Sequence, residues 1–372
     1  MQNPLDFTPY KQLDSAALTA RIQAVRRRTG RELLILGHHY QQDEVLALSD
    51  LQGDSYQLSA QAAADEQCCW IVFCGVHFMA ETADILANRP ERLPGRGGRR
   101  VTVILPELGA GCSMADMADI QQVEDCWRQL AGVMPVEEVL PVTYVNSAAT
   151  LKAFCGRHGG IVCTSANARA VLEWSFQRRR RVLFFPDQHL GRNTARRMDV
   201  TLEEMPLWDP QEPLGGNTAE ALRRSRVLLW KGDCSVHQRF LPKHIAHFRA
   251  TVPGIRIIVH PECMMEVADQ ADALGSTGGI IKAVEQAPAG TRWAIGTELH
   301  LVRRLRERHP EQEIHLLSPL ACMCPTMRLI DLAHLCWAVE NLAAGTPVGV
   351  VRVDDATAAD ALVALRRMLE VK

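Results

Sequence analysis

The sequence predicts an α/β protein of three similar three-layer αβα domains, with short parallel sheets in pseudo-threefold arrangement around a central cluster. The first observation behind this prediction is a succession of apolar, β-prone runs that recurs three times along the 372 residues. The second is that every succession closes on a cysteine, namely Cys112, Cys234 and Cys324. Three copies of one structural unit, each delivering one thiol, predict three cysteines that converge on one site.

The apolar runs are the predicted strands of each repeat. The repeats open on LLILGHHYQ, VTYVNSAA and IIVHPEC, and they close on VILPELGAGCSM, VLLWKGDCSVH and IHLLSPLACMCPTM. Short apolar runs between turn residues are typical of strands. The segments QLSAQAAAD, ANARAVLEW and GGIIKAVEQ lie between them and have helical patterns. Strand, loop, helix and strand therefore recur as βαβ units, whose sheets are parallel.

Polar residues follow the opening strand of each repeat in matched positions. The pairs are His38 with Tyr40, Tyr144 with Asn146, and His260 with Glu262, and the serines that follow them are Ser55, Ser165 and Ser276. Residues i and i+2 of a strand share one face, so we expect each pair to point the same way. Each serine opens a helical pattern and is also a candidate N-cap. Ligands of parallel sheets bind beyond the carboxyl ends of the strands, where these residues lie.

The repeats divide the chain into four predicted segments. The first repeat covers 20–120, the second 121–245 and the third 246–345, and 346–372 forms a strand and an amphipathic helix that pack on the body. The stretch 198–225 interrupts the second repeat. It is rich in acidic residues, proline and glycine, so we expect an inserted excursion on the surface.

Composition excludes several classes of protein. The formal net charge of −2 provides no basic surface for nucleic acid or for an anionic membrane. The N-terminus is polar and acidic rather than basic and apolar, and the apolar runs are shorter than a bilayer span. We therefore expect a cytoplasmic protein that binds neither nucleic acid nor membrane.

Twelve cysteines are more than packing requires, and their scatter does not resemble a disulfide scaffold. Metal ligation in a reducing compartment is the better interpretation for the three that share a position in the repeat. Cys322 competes with Cys324, which we favour because Pro325 suits the first position of a helix. Three thiolates suit a cubane cluster with one open iron, which acts as a Lewis acid.

The polar pairs predict a ring of donors and acceptors for a small polyanionic molecule. Glu262 is the carboxylate of this ring and hence its best candidate base. Ser276 and Thr277 lie in a Gly-Ser-Thr sequence that opens a helix. A helix N-terminus with a hydroxyl group binds anions, so these two residues are the strongest candidates for a phosphate.

A series of motifs along residues 30 to 340 resembles the quinolinate synthase family, NadA. In chain order the motifs are GHHYQ, GDS, VFCGVHFMAETA, AGCSMADM, YVN, TSANA, PDQHLGRN, CSVHQRF, HPEC, GST, GTE and CPTM. The resemblance implies three related α/β domains around a 4Fe-4S cluster with three cysteine ligands, here Cys112, Cys234 and Cys324. It also implies condensation of iminoaspartate with dihydroxyacetone phosphate, with loss of phosphate and water, to give quinolinate for NAD biosynthesis. A functional link to L-aspartate oxidase follows from the same reaction.

The resemblance also assigns roles to the polar residues. Glu262 would move protons, with His260 beside it, and Tyr40 would assist ring closure and later steps. The residues implied to hold the carboxylates and the phosphate are His38, Ser55, Tyr144, Asn146, Ser165, His260, Ser276 and Thr277, and Glu262 is implied to contact the substrate as well.

Two other interpretations remain open on sequence alone. An iron–sulfur reductive dehydroxylase can also use three cysteines among three α/β domains, but it requires a reductant. A non-enzymatic iron–sulfur sensor would bind a partner or nucleic acid, which the near-neutral charge disfavours.

Overall fold

A computed structural model describes residues 3–320 and 322–371, without the side chains of Ala62 and Ala63. The first repeat begins with helix α1 and builds a sheet from four strands. Its elements are α1 (Ser15–Thr29), β1 (Leu33–His38), α2 (Asp43–Leu46), β2 (Leu51–Gly53), α3 (Ser55–Ala64), β3 (Trp70–Cys74), α4 (His77–Ala87) and β4 (Thr102–Ile104).

The second repeat has the same alternation with one additional strand and helix. Its elements are α5 (Ile120–Ala131), β5 (Val139–Tyr144), α6 (Ala149–Arg157), β6 (Ile161–Cys163), α7 (Ala168–Phe176), β7 (Arg181–Phe185), α8 (Gln188–Arg196), β8 (Leu207–Trp208), α9 (Ala219–Arg224) and β9 (Val227–Trp230).

The third repeat and the C-terminal segment complete the chain. Their elements are α10 (Pro242–Thr251), β10 (Arg256–Val259), α11 (Met265–Ala268), β11 (Ala273–Leu274), α12 (Thr277–Glu285), β12 (Arg292–Gly296), α13 (Leu299–Arg308), β13 (Glu313–Leu316), α14 (Leu332–Ala343), β14 (Val350–Val351) and α15 (Asp355–Glu370).

The three sheets share one strand order. In each repeat the first strand pairs with the second on one side and with the third on the other, and the last strand pairs with the third, giving β2-β1-β3-β4, β6-β5-β7-β9 and β11-β10-β12-β13. All of these pairings are parallel. Every residue of β1 and β5 is buried, as in sheets with both faces covered by helices. The structure confirms the α/β class with three small, mostly parallel sheets.

The chain forms two compact units. One comprises 1–112 and 324–358 and contains the first sheet; the other comprises 113–323 and 359–372 and contains the second and third sheets. Within the first unit, β14 adds to the edge of β4 as an antiparallel strand. The boundaries 20–120, 121–245, 246–345 and 346–372 stay a prediction, as does the pseudo-threefold arrangement around a cluster.

In the part of the chain that the structure describes, no helix combines the length and the apolar character needed to cross a bilayer.

The interruption at 198–225 is more than the predicted surface excursion, because it adds a strand to the second sheet. β8 pairs in parallel with β9 through Leu207 and Trp208, and the Trp208 side chain is buried. Gly215, with φ of +65°, packs under the indole, where an added Cβ would lie 2.5 Å from the ring. The acidic and glycine-rich composition of this stretch did not indicate that Trp208 would be buried against the sheet.

We expect Trp208→Ala to lower the free energy of unfolding by about 3–5 kcal/mol, because it removes a large buried side chain and leaves a cavity. Urea denaturation of the purified protein measures this change. Leu202→Ala is the matched control from the same segment, since Leu202 is 46% exposed and its truncation leaves no cavity. Equal midpoints for the two variants would contradict a packing role for the interruption.

Candidate active site

The first strand of each repeat ends at or beside its predicted polar pair. β1 ends at His38 and β5 at Tyr144, while β10 ends one residue before His260. The carboxyl ends of parallel strands are where α/β proteins bind ligands. Each pair therefore stands at the edge of its sheet where a ligand is expected.

The second member of each pair lies beyond its strand, so the expectation that strand alternation aligns the pairs is wrong. A local turn holds two of the pairs instead. The backbone N–H of Tyr40 donates to Nδ1 of His38 at 3.1 Å, and that of Glu262 donates to Nδ1 of His260 at 3.3 Å. An Nδ1 atom that accepts a hydrogen bond carries no proton, so the proton of each neutral ring is on Nε2.

The three predicted serines differ in their relation to the helices. Ser276 caps α12, because its hydroxyl oxygen accepts the backbone N–H of Gly279 at 3.2 Å. Ser55 is the first residue of α3, and Asp54 receives the N–H of Gln57 in its place. Ser165 lies three residues before the start of α7. The N-cap expectation is therefore right for Ser276 and wrong for Ser55 and Ser165.

Ser165 and Ser276 nevertheless share a site. Both line a cavity of about 210 Å³ in the second compact unit, together with Asn193 and Pro261. The amide of Asn146, among the residues that the structure describes, makes no hydrogen bond and is half-buried. Thr277 is buried at the start of α12.

The three predicted cysteine ligands occupy the same place in each repeat. A 3₁₀ turn begins three residues after each cysteine and an α-helix eight residues after it, so Cys112, Cys234 and Cys324 precede α5, α10 and α14 by equal spacings. Pro325 consequently does not open a helix, so that reason for favouring Cys324 over Cys322 is wrong. The carbonyl groups of Cys234 and Cys324 instead accept backbone N–H groups four residues later, at 3.1 and 3.3 Å.

One backbone hydrogen bond anchors every cysteine loop. At the start of α4, α8 and α13, an N–H group donates at 2.9 Å to the carbonyl oxygen of the residue two positions before the cysteine. The three bonds join His77 to Ala110, Gln188 to Gly232 and Leu299 to Cys322. Cys322 therefore takes the place of Ala110 and Gly232, while Cys324 takes the place of Cys112 and Cys234.

Exposure separates these three cysteines from all but one of the others. Eight of the twelve are buried, whereas Cys69, Cys112, Cys234 and Cys324 are partly exposed. Burial raises the pKa of the Cys322 thiol, and that thiol points to the carbonyl oxygen of Leu320 at 3.4 Å. A high pKa disfavours the thiolate that metals bind. Soft sulfur donors at the other three positions fit an iron–sulfur cluster.

The cysteine turns also hold the strand-end loops within each compact unit. In the first, the buried amide of Gln41 donates to the carbonyl oxygen of Met327 at 2.9 Å, which ties the loop after β1 to the turn after Cys324. In the second, the amide of Gln238 donates to the carbonyl oxygen of Glu262 at 3.2 Å, which ties the loop after β10 to the turn after Cys234.

Glu262 stands at the centre of a buried polar cluster in the second unit. Its Oε2 atom lies 2.7 Å from Nδ1 of His237 and 3.5 Å from Nδ1 of His260, and all three side chains are at most 3% exposed. The two imidazole rings stack with centroids 4.4 Å apart. Tyr144 donates a hydrogen bond to the same carboxylate. The structure thus joins three of the predicted residues, Tyr144, His260 and Glu262, in one cluster.

The surroundings of Glu262 favour its ionised form. Burial by itself would raise the pKa of this carboxyl, but His260, His237 and the hydroxyl of Tyr144 outweigh burial and lower the pKa. Burial lowers the pKa of His260 to about 3, so that ring is neutral at pH 7. The contacts from His237 and Tyr144 then remain to hold Glu262 ionised. Its Oε1 atom, within the described part of the chain, has no hydrogen-bonding partner.

A second buried carboxyl lies in the same unit. Asp187 caps α8, since its Oδ1 atom accepts the backbone N–H of Leu190 at 2.6 Å. Burial, followed by repulsion from Glu262, raises the pKa of Asp187 well above its ordinary value. Glu298 likewise caps α13, because its Oε2 atom accepts the backbone N–H of His300 at 2.7 Å, and its Oε1 atom lies 2.8 Å from Nδ1 of the same histidine.

Sequence reasoning did not assign a role to His237 or Asn193. His237 lies on the 3₁₀ turn after Cys234, and Asn193 on α8 donates to the carbonyl oxygens of Pro261 and Cys263 at 2.9 and 2.8 Å. Both motifs, CSVH and GRN, were visible in the sequence. Because both residues are far from the loop around Glu262 in the sequence, no motif spacing indicated that they contact it.

Comparison with known proteins agrees with the sequence motifs. A family model described as Quinolinate synthetase A protein matches residues 20–370. The chain is 64% identical over 365 residues to the quinolinate synthase of Rhodopirellula baltica, covering 98% of this chain and 93% of the relative. It is 51% identical to that of Corynebacterium glutamicum, covering 97% and 89%, and 48% identical to that of Bacillus subtilis, covering 97% and 95%.

Such identity over nearly the full length of each relative extends far beyond the site residues. The matched residues 20–370 span the strands, the cysteine loops and the helices that follow them. The chain therefore belongs to the quinolinate synthetase A family, NadA, a family of enzymes.

Proposed function

We propose that this protein is a quinolinate synthase that condenses iminoaspartate with dihydroxyacetone phosphate, releasing phosphate and water, for NAD biosynthesis. The observation that carries the proposal is the buried carboxylate of Glu262, whose Oε1 atom makes no hydrogen bond within the described residues. A desolvated carboxylate with one free oxygen suits repeated proton transfer. Relatives that carry the name quinolinate synthase support this choice of reaction.

Members of the family use an iron–sulfur cluster, and the donor set of this chain fits one. We assign the ligands of a 4Fe-4S cluster to Cys112, Cys234 and Cys324. Their equal spacing to the following helices and their partial exposure support this set over any that includes Cys322. When bound through three thiolates, such a cluster supplies one iron with an open position that acts as a Lewis acid.

The chain's own residues would bind, orient and deprotonate the substrates. Glu262 takes up and returns protons at Oε1, and the Nε2–H group of His260 donates to a substrate oxygen. Tyr40, beside His38, assists ring closure. Ser276 and Thr277 at the start of α12 hold the phosphate. The groups assigned to the carboxylates and the phosphate are His38, Ser55, Tyr144, Asn146, Ser165, His260, Ser276 and Thr277, while Glu262 contacts the substrate as the base.

The reaction implies one functional partner. Iminoaspartate is the product of aspartate oxidation, so L-aspartate oxidase is the enzyme that would supply it. We propose a cytoplasmic location for both steps, because all twelve cysteines are free thiols and disulfides are rare in reducing compartments. No role for nucleic acid or a membrane enters this proposal.

Anaerobically purified protein tests the function directly. We expect it to be brown, to hold about four irons per chain, and to form quinolinate from the two substrates without an electron donor. Chromatographic detection of quinolinate measures the product. Iron-free protein with full activity would overturn the cluster assignment, and turnover that depends on a reductant would favour a reductive dehydroxylase.

A further inference from the structure

We propose that a cavity in the first compact unit binds a mononucleotide, a small molecule that combines a phosphate group with a flat ring. The cavity has a volume of about 620 Å³, which is within the range of sites for small molecules. It lies beside the residues that open β1, β3 and β4, whereas His38 stands at the carboxyl end of β1. The length of β1, about 17 Å, therefore separates the cavity from His38.

The first support is the charge of the lining. Four arginines and two glutamates line the cavity, namely Arg31, Arg96, Arg99, Arg100, Glu32 and Glu66. Arg100 is already neutralised, since it pairs with Asp84 at 3.3 Å and with Asp355 at 2.9 Å. The other three arginines form no ion pair within the described part of the chain. Guanidinium groups without a carboxylate attract anions, and their fork of donors matches a phosphate.

The second support is the guanidinium group of Arg96. Its Nη2 atom donates to the carbonyl oxygen of Asp65 at 2.6 Å, just beyond the end of α3. Its Nη1 atom is buried and has no hydrogen-bonding partner among the described residues. A buried donor without a partner is costly, and a turn of the side chain toward an anion in the cavity would pair it. A purely structural role at the end of α3 leaves this nitrogen unexplained.

The third support is that the loop carrying three of the arginines is held at its base and at its side. This loop, residues 88–101, joins α4 to β4. At its base, the amide of Asn88 donates to the carbonyl oxygen of Val101 at 3.0 Å and accepts the N–H of Val101 at 2.7 Å. At its side, Arg92 donates to the carbonyl oxygen of Ala64 at 3.0 Å, which ties the loop to the end of α3. The cavity is therefore bounded by a fixed loop.

The fourth support is Trp70, the first residue of β3. It lines the same cavity and is half-buried. An indole ring is a surface on which a nucleobase stacks. Inorganic phosphate would use neither this ring nor most of the volume. A mononucleotide uses the positive charge, the aromatic ring and the volume together, and this combination selects it over a simple anion.

Calorimetric titration of the anaerobically purified protein with adenosine monophosphate (AMP) tests the proposal. We expect saturable binding that weakens as salt is added, because ions screen the attraction between the arginines and the phosphate. Adenosine lacks the phosphate and ribose 5-phosphate lacks the ring. Each should bind about tenfold or more weakly than AMP, since each loses one of the two kinds of contact.

Two variants assign the binding to this cavity. Arg96→Ala and Arg99→Ala should each weaken AMP binding about 10- to 100-fold, with iron content and quinolinate formation unchanged. Arg99 is exposed, so its replacement is compatible with folding even if that of Arg96 is not. Arg128→Ala is the matched control, because Arg128 is 75% exposed and pairs with Asp125 at 2.9 Å in the second unit.

Cys69 provides a readout at the cavity that does not depend on heat. Its side chain lines the cavity and is partly exposed. AMP should slow the alkylation of Cys69 by iodoacetamide, which mass spectrometry of the peptide measures. The Arg99→Ala variant should lose most of this protection, whereas Arg128→Ala should keep it.

Several outcomes would overturn the proposal. Wild-type protein that shows neither binding heat nor protection of Cys69 has no nucleotide site here. Wild-type affinity for AMP in Arg99→Ala would place the binding elsewhere. Adenosine that binds as tightly as AMP would exclude recognition of the phosphate, and ribose 5-phosphate that binds as tightly would exclude recognition of the ring; either result contradicts a mononucleotide.

Discussion

Replacing Cys324 with serine is expected to abolish the iron–sulfur cluster and the activity, whereas replacing Cys322 with serine leaves both in place. The reason is the repeated anchor of the cysteine loops. The carbonyl oxygen of Cys322 accepts the N–H of Leu299 at 2.9 Å, as those of Ala110 and Gly232 do in the other repeats. Neither alanine nor glycine can ligate iron through its side chain, so the position of Cys322 is a backbone anchor. Cys324 stands two residues later, where the other repeats have Cys112 and Cys234.

Iron and acid-labile sulfide in anaerobically purified variants measure this expectation, together with visible absorbance. The Cys324→Ser protein should fall from about four irons per chain to background. Cys69→Ser is the matched control, because Cys69 is also partly exposed but lies outside the three positions. A colourless Cys322→Ser protein beside a brown Cys324→Ser protein would transfer the ligand role to Cys322.

Replacing Glu262 with glutamine is expected to lower kcat by about 10²- to 10⁴-fold, the usual contribution of a general base. The amide has nearly the shape of the carboxylate, so the contacts with Tyr144 and the main chain can persist. It cannot accept a substrate proton at Oε1. We therefore expect the cluster content and the affinity for quinolinate to stay close to those of wild type. Single-turnover measurements with equal iron loading test this expectation.

Glu266→Gln is the control for loss of a charge nearby, since Glu266 is an exposed residue of α11. Its activity should match wild type. A Glu262→Gln protein with more than about a tenth of the wild-type kcat would contradict a base role, for which a loss of at least 10²-fold is typical. The same variant separates an enzyme from a sensor, because a sensor without chemistry would keep its response.

The repeat could be recognised from the sequence because its signals are local. Each opening strand is a short apolar run that ends at a polar pair, and each closing strand leads to a cysteine within a few residues. The parallel pairing of strands followed from their helical connections. The local geometry of the polar pairs could not be predicted in the same way. β1 and β10 end before the second residue of their pairs, and a hydrogen bond from the backbone N–H of that residue to the imidazole of the first holds each of these two pairs.

Other parts of the site depend on contacts between distant segments. His237 belongs to the end of the second repeat and Glu262 to the start of the third, so no spacing rule relates them. The helix after Cys324 begins at Leu332 rather than at Pro325, because a 3₁₀ turn over Met327–Leu329 comes first. The strand β8 was hidden for a similar reason, since one buried tryptophan is too weak a signal in an acidic, glycine-rich stretch.

By itself, the sequence determined the fold class, the three repeats, the family and the set of polar residues at the strand ends. These depend on hydrophobic periodicity and on motifs a few residues long, which local chain geometry translates directly into structure. Only the tertiary structure decided which histidines lie beside Glu262, which oxygen of Glu262 they face, and which of two neighbouring cysteines shares the position of Cys112 and Cys234. Those outcomes depend on burial and on hydrogen bonds between segments far apart in the chain, where desolvation makes each unpaired group costly.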